Sequence, residues 1–321
     1  MVNISELLPE QPNIFHLNKF LVILLGPTAV GKTALSVKLA SHFNSEIISA
    51  DSRQFYKELV IGTAPPGPEE LKTVKHHLIG TLPITEYYNV YRFGQDVSAI
   101  LEKIFHQYNI AFMVGGSGLY IDAVCKGIDD IPDPDSELRD ELNNIFTTSG
   151  IQALRDQLKI LDPAGYEKID IANHKRIIRA LEVCITTGKP YSSFLKNKVP
   201  DRPYNILKIG LRRDREELNH IINKRVDQMI QNGLENEAKM LYPFRHLNSL
   251  QTVGYREFFD YFEAKISFED AIEKIKTNTR RYAKKQMTWF SRDKDISWFH
   301  PAEFDSILEF IKTNISSHSK S

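Results

Sequence analysis

FLVILLGPTAVGKT, residues 20–33, decides the fold. Its first half, Phe20–Leu25, is an unbroken apolar run that ends at a glycine, the pattern of a strand buried on both faces of a parallel sheet. Its second half runs from Gly26 through Pro27, Thr28, Ala29, Val30 and Gly31 to Lys32 and Thr33, and fits the spacing G-x-x-x-x-G-K-[ST]. Leu35, Val37, Leu39 and Ala40 then predict a helix over Lys32–His42. A strand, such a loop and a helix in succession make a phosphate cradle. The glycines let backbone N–H groups turn toward an anion, and the helix N-terminus adds its partial positive charge. Lys32 brings a full charge, and the Thr33 hydroxyl suits Mg²⁺. The loop specifies a diphosphate or triphosphate and leaves open which molecule carries it.

Outward from this stretch, strands and helices alternate. Glu46–Ala50 reads as a second strand with Asp51 at its end, Ile100–Tyr108 as an amphipathic helix, and Ile110–Val114 as a third buried strand closed by Gly115 and Gly116. That alternation predicts an α/β fold with a parallel sheet. Residues 128–136, IDDIPDPDS, read as a hinge, with two prolines and four aspartates. Helical periodicity fills Ser136–Leu195, Asn205–Leu211 reads as a strand returning to the sheet, and 214–290 is helical again. The expected organisation is a core of residues 1–129 and 203–321 interrupted by a helical insertion at 130–202. Residues 1–18 read as a polar tail, without the basic and apolar regions of a signal peptide.

Bulk composition is that of an ordinary globular chain, with 321 residues, 42% of them hydrophobic and 26% charged. The 41 basic and 41 acidic residues balance, so any basic surface is local. Two cysteines, Cys125 and Cys184, form no metal-ligand spacing and suit a reducing cytoplasm. No apolar run is long enough to span a bilayer.

Asp51 stands where an open α/β sheet binds its ligands, beyond the carboxyl end of a strand. A carboxylate there can bind Mg²⁺, orient a nucleophile or accept its proton, or it can cap the following turn. The third strand ends in Gly-Gly-Ser-Gly, whereas a P-loop ATPase usually has an acidic residue at such a strand end. Residues 274–292 contain seven Lys or Arg and no Asp or Glu, and Arg280, Arg281, Lys284 and Lys285 form a stripe at helical spacing. Such a stripe suits nucleic-acid phosphates. Lys175, Arg176 and Arg179 form a second cluster on the insertion. Gly254, Tyr255 and Arg256 offer an aromatic ring and a cation on a turn, suited to unstacked bases. Tyr255 and Trp289 read equally well as core aromatics, and His76 and His77 read as structural. A small-molecule P-loop kinase and a non-catalytic RNA-binding protein are the competing classes.

GPTAVGKT (26–33), ISADSRQFYKELVIGTAPP (48–66), HHLIG (76–80), VGGSGLY (114–120), KRIIRALEV (175–183), VGYREF (253–258) and TRRYAKKQMTWF (279–290) occur in an order that resembles the bacterial tRNA dimethylallyltransferases, also called tRNA isopentenyltransferases. The resemblance implies a P-loop-kinase-like core with a helical insertion that grips tRNA. It implies transfer of a dimethylallyl group from dimethylallyl diphosphate to N6 of adenosine 37, beside the anticodon, with Asp51 as general base. Thr28, Lys32 and Thr33 are expected around the diphosphate, with Arg225 helping to neutralise it and Mg²⁺ at Thr33. The expected tRNA contacts are Asp51, Ser52, Arg53, Gln54, Ser117, Arg139, Lys175, Arg176, Arg179, Gly254, Tyr255, Arg256, Arg280, Arg281, Lys284 and Lys285. Ser117 stands where many relatives carry threonine, which keeps the hydroxyl. A cytoplasmic monomer with no membrane partner is expected, and free AMP or ADP is the alternative acceptor.

Overall fold

The computed structural model describes residues 19–133, 135–196 and 201–318, so the expected tail at 1–18 lies outside the described residues. Strands β1 (Phe20–Leu25), β2 (Ile47–Ser49), β3 (His76–His77), β4 (Ile110–Gly115), β5 (Asn205–Leu211) and β6 (Ser297–Phe299) form one sheet. Their order is β3-β2-β4-β1-β5-β6, and every neighbouring pair is parallel. Four helices accompany the first half: α1 (Lys32–His42), α2 (Pro68–Thr73), α3 (Val90–Gln107) and α4 (Gly118–Lys126).

The unbroken apolar run of β1 follows from its two buried faces. Leu21, Ile23 and Leu25 pack into one core with Phe93, Val97 and Leu101 of α3 and with Ile121 of α4. Val22 and Leu24 pack into the opposite core with Leu35 and Leu39 of α1. Helix α1 therefore leaves β1 on one face of the sheet, and α4 leaves β4 on the other. The two adjacent strands send their chains apart, which opens a crevice at their carboxyl ends.

Helix α3 begins at Val90, ten residues before the periodicity predicted, because the Asn89 side chain caps it by accepting the Arg92 N–H at 2.8 Å. Strands β3 and β6 escaped the sequence reading. Two and three residues are too few to show a period, and both strands lie at the sheet edges.

The chain divides into two compact units, one ending at residue 125 and resuming at 201, the other spanning 126–200. The smaller contains α5 (Ser136–Leu161), α6 (Pro163–Tyr166) and α7 (His174–Thr187) around Leu142, Leu154, Leu158, Ile177 and Leu181. The Asp135 side chain caps α5 by accepting the Glu137 and Leu138 N–H groups. Gly150 interrupts α5 at φ 76° and ψ −179°, an extended positive-φ conformation open almost only to glycine. Inside this unit the Glu182 carboxylate is 1% exposed and accepts from both Arg139 and Arg179, and Arg179 also donates to the Pro132 carbonyl.

In the larger unit the helical stretch 214–290 contains four α-helices. They are α8 (Arg215–Gln231), α9 (Leu234–Leu241), α10 (Arg256–Phe262) and α11 (Phe268–Phe290), and α12 (Phe304–His318) follows β6. Leu234, Tyr255, Phe258 and Ile275 from this region join Tyr56 and Leu59 in a third core. No helix among the described residues is long and apolar enough to cross a membrane.

Phe112, fully buried on β4, fills the face of the sheet that α1 covers. Phe112→Ala should remove about 3–5 kcal/mol of stability, read as a lower midpoint of urea unfolding. An unchanged midpoint would contradict the packing described.

Candidate active site

The loop after β1 folds as its glycines demand. Gly26 (φ 150°) and Gly31 (φ 108°) both have positive φ, and a Cβ on Gly26 would lie 2.7 Å from the Leu211 carbonyl oxygen. Ala29 between them is left-handed too, at φ 65°. The Lys32 ammonium donates to the Gly26 and Pro27 carbonyls at 3.0 and 2.7 Å, so the loop wraps around its own cation. Lys32 keeps part of its surface in solvent, but this enclosure desolvates the ammonium. Burial pushes its pKa down to about 7, with the Asp51 carboxylate opposing the shift and the Arg225 guanidinium adding to it. The back of the loop is held by Arg213, whose Nε donates to the Val30 carbonyl at 3.0 Å.

Asp51 follows β2 and takes up both options left open by the sequence. Its Oδ1 accepts the Arg53 N–H at 2.9 Å, capping the turn, while the carboxylate lies in the field of Lys32 and Arg225. Arg225 is largely desolvated, which lowers its pKa, and Asp51 opposes that shift. Its neighbour Asp227 pairs with Lys276, at 2.9 Å. Ser117, at the end of β4, accepts the Ser52 N–H at 2.9 Å and so ties the Asp51–Gln54 turn to the neighbouring strand. Glycine is required beside it, because a Cβ on Gly115 would lie 2.2 Å from the Ala50 carbonyl oxygen.

These groups open into one cleft of about 880 Å³. Its lining brings together Thr28, Lys32 and Thr33, the turn Asp51–Gln54, Arg225, and the segment that carries Gly254 and Arg256. Ile275, Thr279, Tyr282 and Gln286, one stripe of α11, close a side of it. Gln286 is buried and bridges the cradle to the sheet. Its Oε1 accepts the Thr28 N–H at 2.8 Å, and its Nε2 donates to the Gly116 carbonyl at 2.9 Å. Sequence reasoning used this helix only for its cations and missed Tyr282 and Gln286. The spacing 275, 279, 282, 286 was the available signal.

Among the expected RNA-contacting cations, Arg281, Lys284 and Lys285 are exposed on the adjoining face of α11. Arg280 is half-buried and turns inward to Asn223 and Thr277. Arg256 is exposed at the cleft. Lys175 and Arg176 are exposed on the smaller unit, whereas Arg139 and Arg179 hold Glu182 within it.

Tyr255 takes the core-aromatic alternative and not the expected place among the tRNA contacts. It is fully buried, its hydroxyl donates to Glu237 Oε1 at 2.7 Å, and burial beside that carboxylate holds the phenol pKa far above its usual range. A ring packed in this way has no face for a base. The turn was read correctly as aromatic plus cation, but only the cation reaches solvent.

The fold is a parallel α/β sheet protein, and its cleft sets the Gly26–Thr33 loop with Lys32 beside the Asp51 carboxylate. A family profile described as IPP transferase matches residues 54–293, and one described as isopentenyl transferase matches 19–86. The chain is 54% identical over 295 residues to tRNA dimethylallyltransferase 2 of Parabacteroides distasonis, covering 92% of this chain and 99% of that protein. It is 50% identical over 297 residues to tRNA dimethylallyltransferase 1 of Bacteroides fragilis, covering 92% and 99%. The crystal structure of the full-length tRNA isopentenylpyrophosphate transferase of Bacillus halodurans superimposes with a TM-score of 0.70 at 39% identity, covering 94% of this chain and 98% of that one. A eukaryotic dimethylallyltransferase acting on tRNA superimposes with a TM-score of 0.72 at 28% identity, covering 89% and 75%. The chain belongs to the IPP transferase family.

The low pKa of Lys32 has a measurable consequence. Its charge is present below about pH 7 and is lost above it, so an anion bound there must restore a proton at higher pH. Affinity for inorganic diphosphate should fall by up to about tenfold per pH unit above neutrality. Lys32→Met should bind more weakly and lack that step. Calorimetric titration from pH 6 to pH 9 reads both, and identical pH profiles in the two proteins would refute the assignment.

Proposed function

We propose that this protein transfers the dimethylallyl group of dimethylallyl diphosphate to N6 of the adenosine beside a tRNA anticodon. The observation that carries the reading is the single cleft in which a P-loop, a carboxylate and a helix with an exposed basic face converge. The cradle has a natural ligand in the diphosphate, and β4 ends in Gly-Gly-Ser-Gly without the carboxylate common in P-loop ATPases.

In this reading the C–O bond between the allylic carbon and the diphosphate breaks, and its electron pair stays with the diphosphate. Lys32, Arg225 and the loop amides are fixed beforehand where that charge grows, which lowers the barrier without reorganisation. The N6 lone pair forms the new C–N bond. Adenine N6 is a weak nucleophile because its lone pair is delocalised into the ring. Asp51 orients the amine and takes its proton as the bond forms. The adenosine must leave its stack to enter the cleft. The Asp51–Gln54 turn, held by Ser117, lies ready to receive it.

The Thr33 hydroxyl, a hard oxygen donor at the cradle, fits Mg²⁺. The ion supplies neutralisation of the leaving diphosphate when bound. We take the working protein to be a monomer in the cytoplasm.

Nucleoside mass analysis of tRNA incubated with the protein, Mg²⁺ and dimethylallyl diphosphate tests the assignment. The expected product is one isopentenyl group on adenosine, and its absence alongside modification of free AMP would give the reaction to the other acceptor. Asp51→Ala should lower the single-turnover rate by about 10²–10⁴-fold with little change in diphosphate affinity. A near-normal rate would end the base assignment.

The exposed face of α11 gives a separate test. Arg281→Ala with Lys284→Ala should weaken binding of all substrate tRNAs alike and lower the slope of log affinity against log salt by roughly one unit or less per cation. Superimposable titrations for wild type and the double variant would remove this face from the tRNA-binding surface.

A further inference from the structure

Glu237 lies on α9, outside the groups used above, and is 6% exposed. Its carboxylate accepts three successive backbone N–H groups from a loop about 175 residues earlier. Val60 and Ile61 donate to Oε2 at 3.1 and 2.7 Å, and Gly62 donates to Oε1 at 3.0 Å. The Tyr255 hydroxyl donates to the same Oε1 at 2.7 Å. Four donors converge on one side chain, and none of them is a cation. Hydrogen bonds to a carboxylate are about twice as strong as neutral ones, so this is a firm attachment for a loop whose Val60 side is exposed.

The attached loop is a wall of the cleft. Gly62, Thr63 and Ala64 line it. The Gln54 side-chain amide donates to the Thr63 and Ala64 carbonyls at 3.3 and 3.4 Å and accepts from the Ser49 hydroxyl at 2.9 Å. Position thus passes from Glu237 through amides 60–62 to the carbonyls of 63 and 64, and on to Gln54 beside Asp51. Tyr255 also sets the height of the loop. A Cβ on Gly62 would lie 2.5 Å from its hydroxyl, so only bare backbone fits there.

We propose that Glu237, held by Tyr255, is a positioning residue that fixes the 61–64 wall of the cleft and, through Gln54, the geometry with which the acceptor nucleoside is received. It touches neither substrate. The diphosphate cradle has its own supports in Arg213 and Gln286 and does not depend on it. This inference rests on the prenyl-transfer reading above.

The test compares wild type, Glu237→Gln and Tyr255→Phe as full chains, in steady-state prenylation of tRNA and in calorimetry with inorganic diphosphate. An amide at 237 keeps the volume but offers one acceptor oxygen, and its NH₂ faces an N–H donor. The KM for tRNA should rise about tenfold, close to the net worth of one lost hydrogen bond to a charged group, while diphosphate affinity stays within about twofold. Tyr255→Phe removes one of the four donors and should raise the same KM by about threefold. A merely structural defect lowers the fraction of active enzyme, and hence kcat, without moving KM. A folded Glu237→Gln protein with the wild-type KM for tRNA overturns the proposal, as does an equal loss of diphosphate affinity. Should that variant not fold, an unchanged KM in Tyr255→Phe does the same. A wild type that prenylates no tRNA sinks the functional reading itself, which is a different result from either.

Discussion

Parallel pairing of β1 with β4 sets Leu25 opposite Gly115, so two loops leave the sheet side by side at one level. One is the phosphate loop, and the other is Gly115–Gly116–Ser117, which holds the Asp51 turn through the Ser52 amide. The register fixes how far a carboxylate on the β2 side stands from a cation on the β1 side. Small residues make that closeness possible. A methyl group on Gly115 would strike the Ala50 carbonyl, and one on Gly116 would lie 2.2 Å from Gln286 Nε2. The chemistry at the cleft is thus a consequence of backbone spacing before any side chain is considered.

Helix α11 joins two requirements in one rigid body. The stripe through Thr279, Tyr282 and Gln286 closes the cleft and holds the Thr28 amide, and the face beside it presents Arg281, Lys284 and Lys285 to solvent. A 23-residue helix with a capping box at Ser267 and Asp270 can carry both without bending between them. Side chains that line the cleft and cations that reach solvent therefore share a single support. Arg280, tied to Asn223 on α8, anchors that support to the helix that carries Arg225.

Much of this could be read before any coordinates. The strand FLVILL, its loop and α1 follow from local rules, because a run buried on both faces, positive-φ glycines and a helix start are all short-range features. Asp51 was reachable as well, since position at a strand end is a topological fact. The edge strands β3 and β6 were not, because pairing partners far along the chain create them. Tyr255 shows the limit more sharply. Its neighbours Gly254 and Arg256 mark a turn at the cleft, yet the direction of the ring depends on Glu237, and no local pattern links the two. Arg139 and Arg179 are similar. Each reads as a surface cation until Glu182 is found buried between them.

That buried carboxylate limits how the smaller unit can change in descent. Glu182 is 1% exposed, whereas the Arg139 and Arg179 side chains that pair with it keep 40% and 27% of their surface in solvent. Losing either arginine leaves the buried carboxylate with one charged partner fewer, which lowers stability. Substitutions at 139, 179 and 182 should therefore travel together among relatives, and lineages that keep Glu182 should keep both arginines. These positions would vary as a block even if no RNA ever touched them. Invariance of the arginines is then a record of the electrostatics of a helical core, and evidence of recognition must be sought at Lys175 and Arg176, whose side chains face solvent.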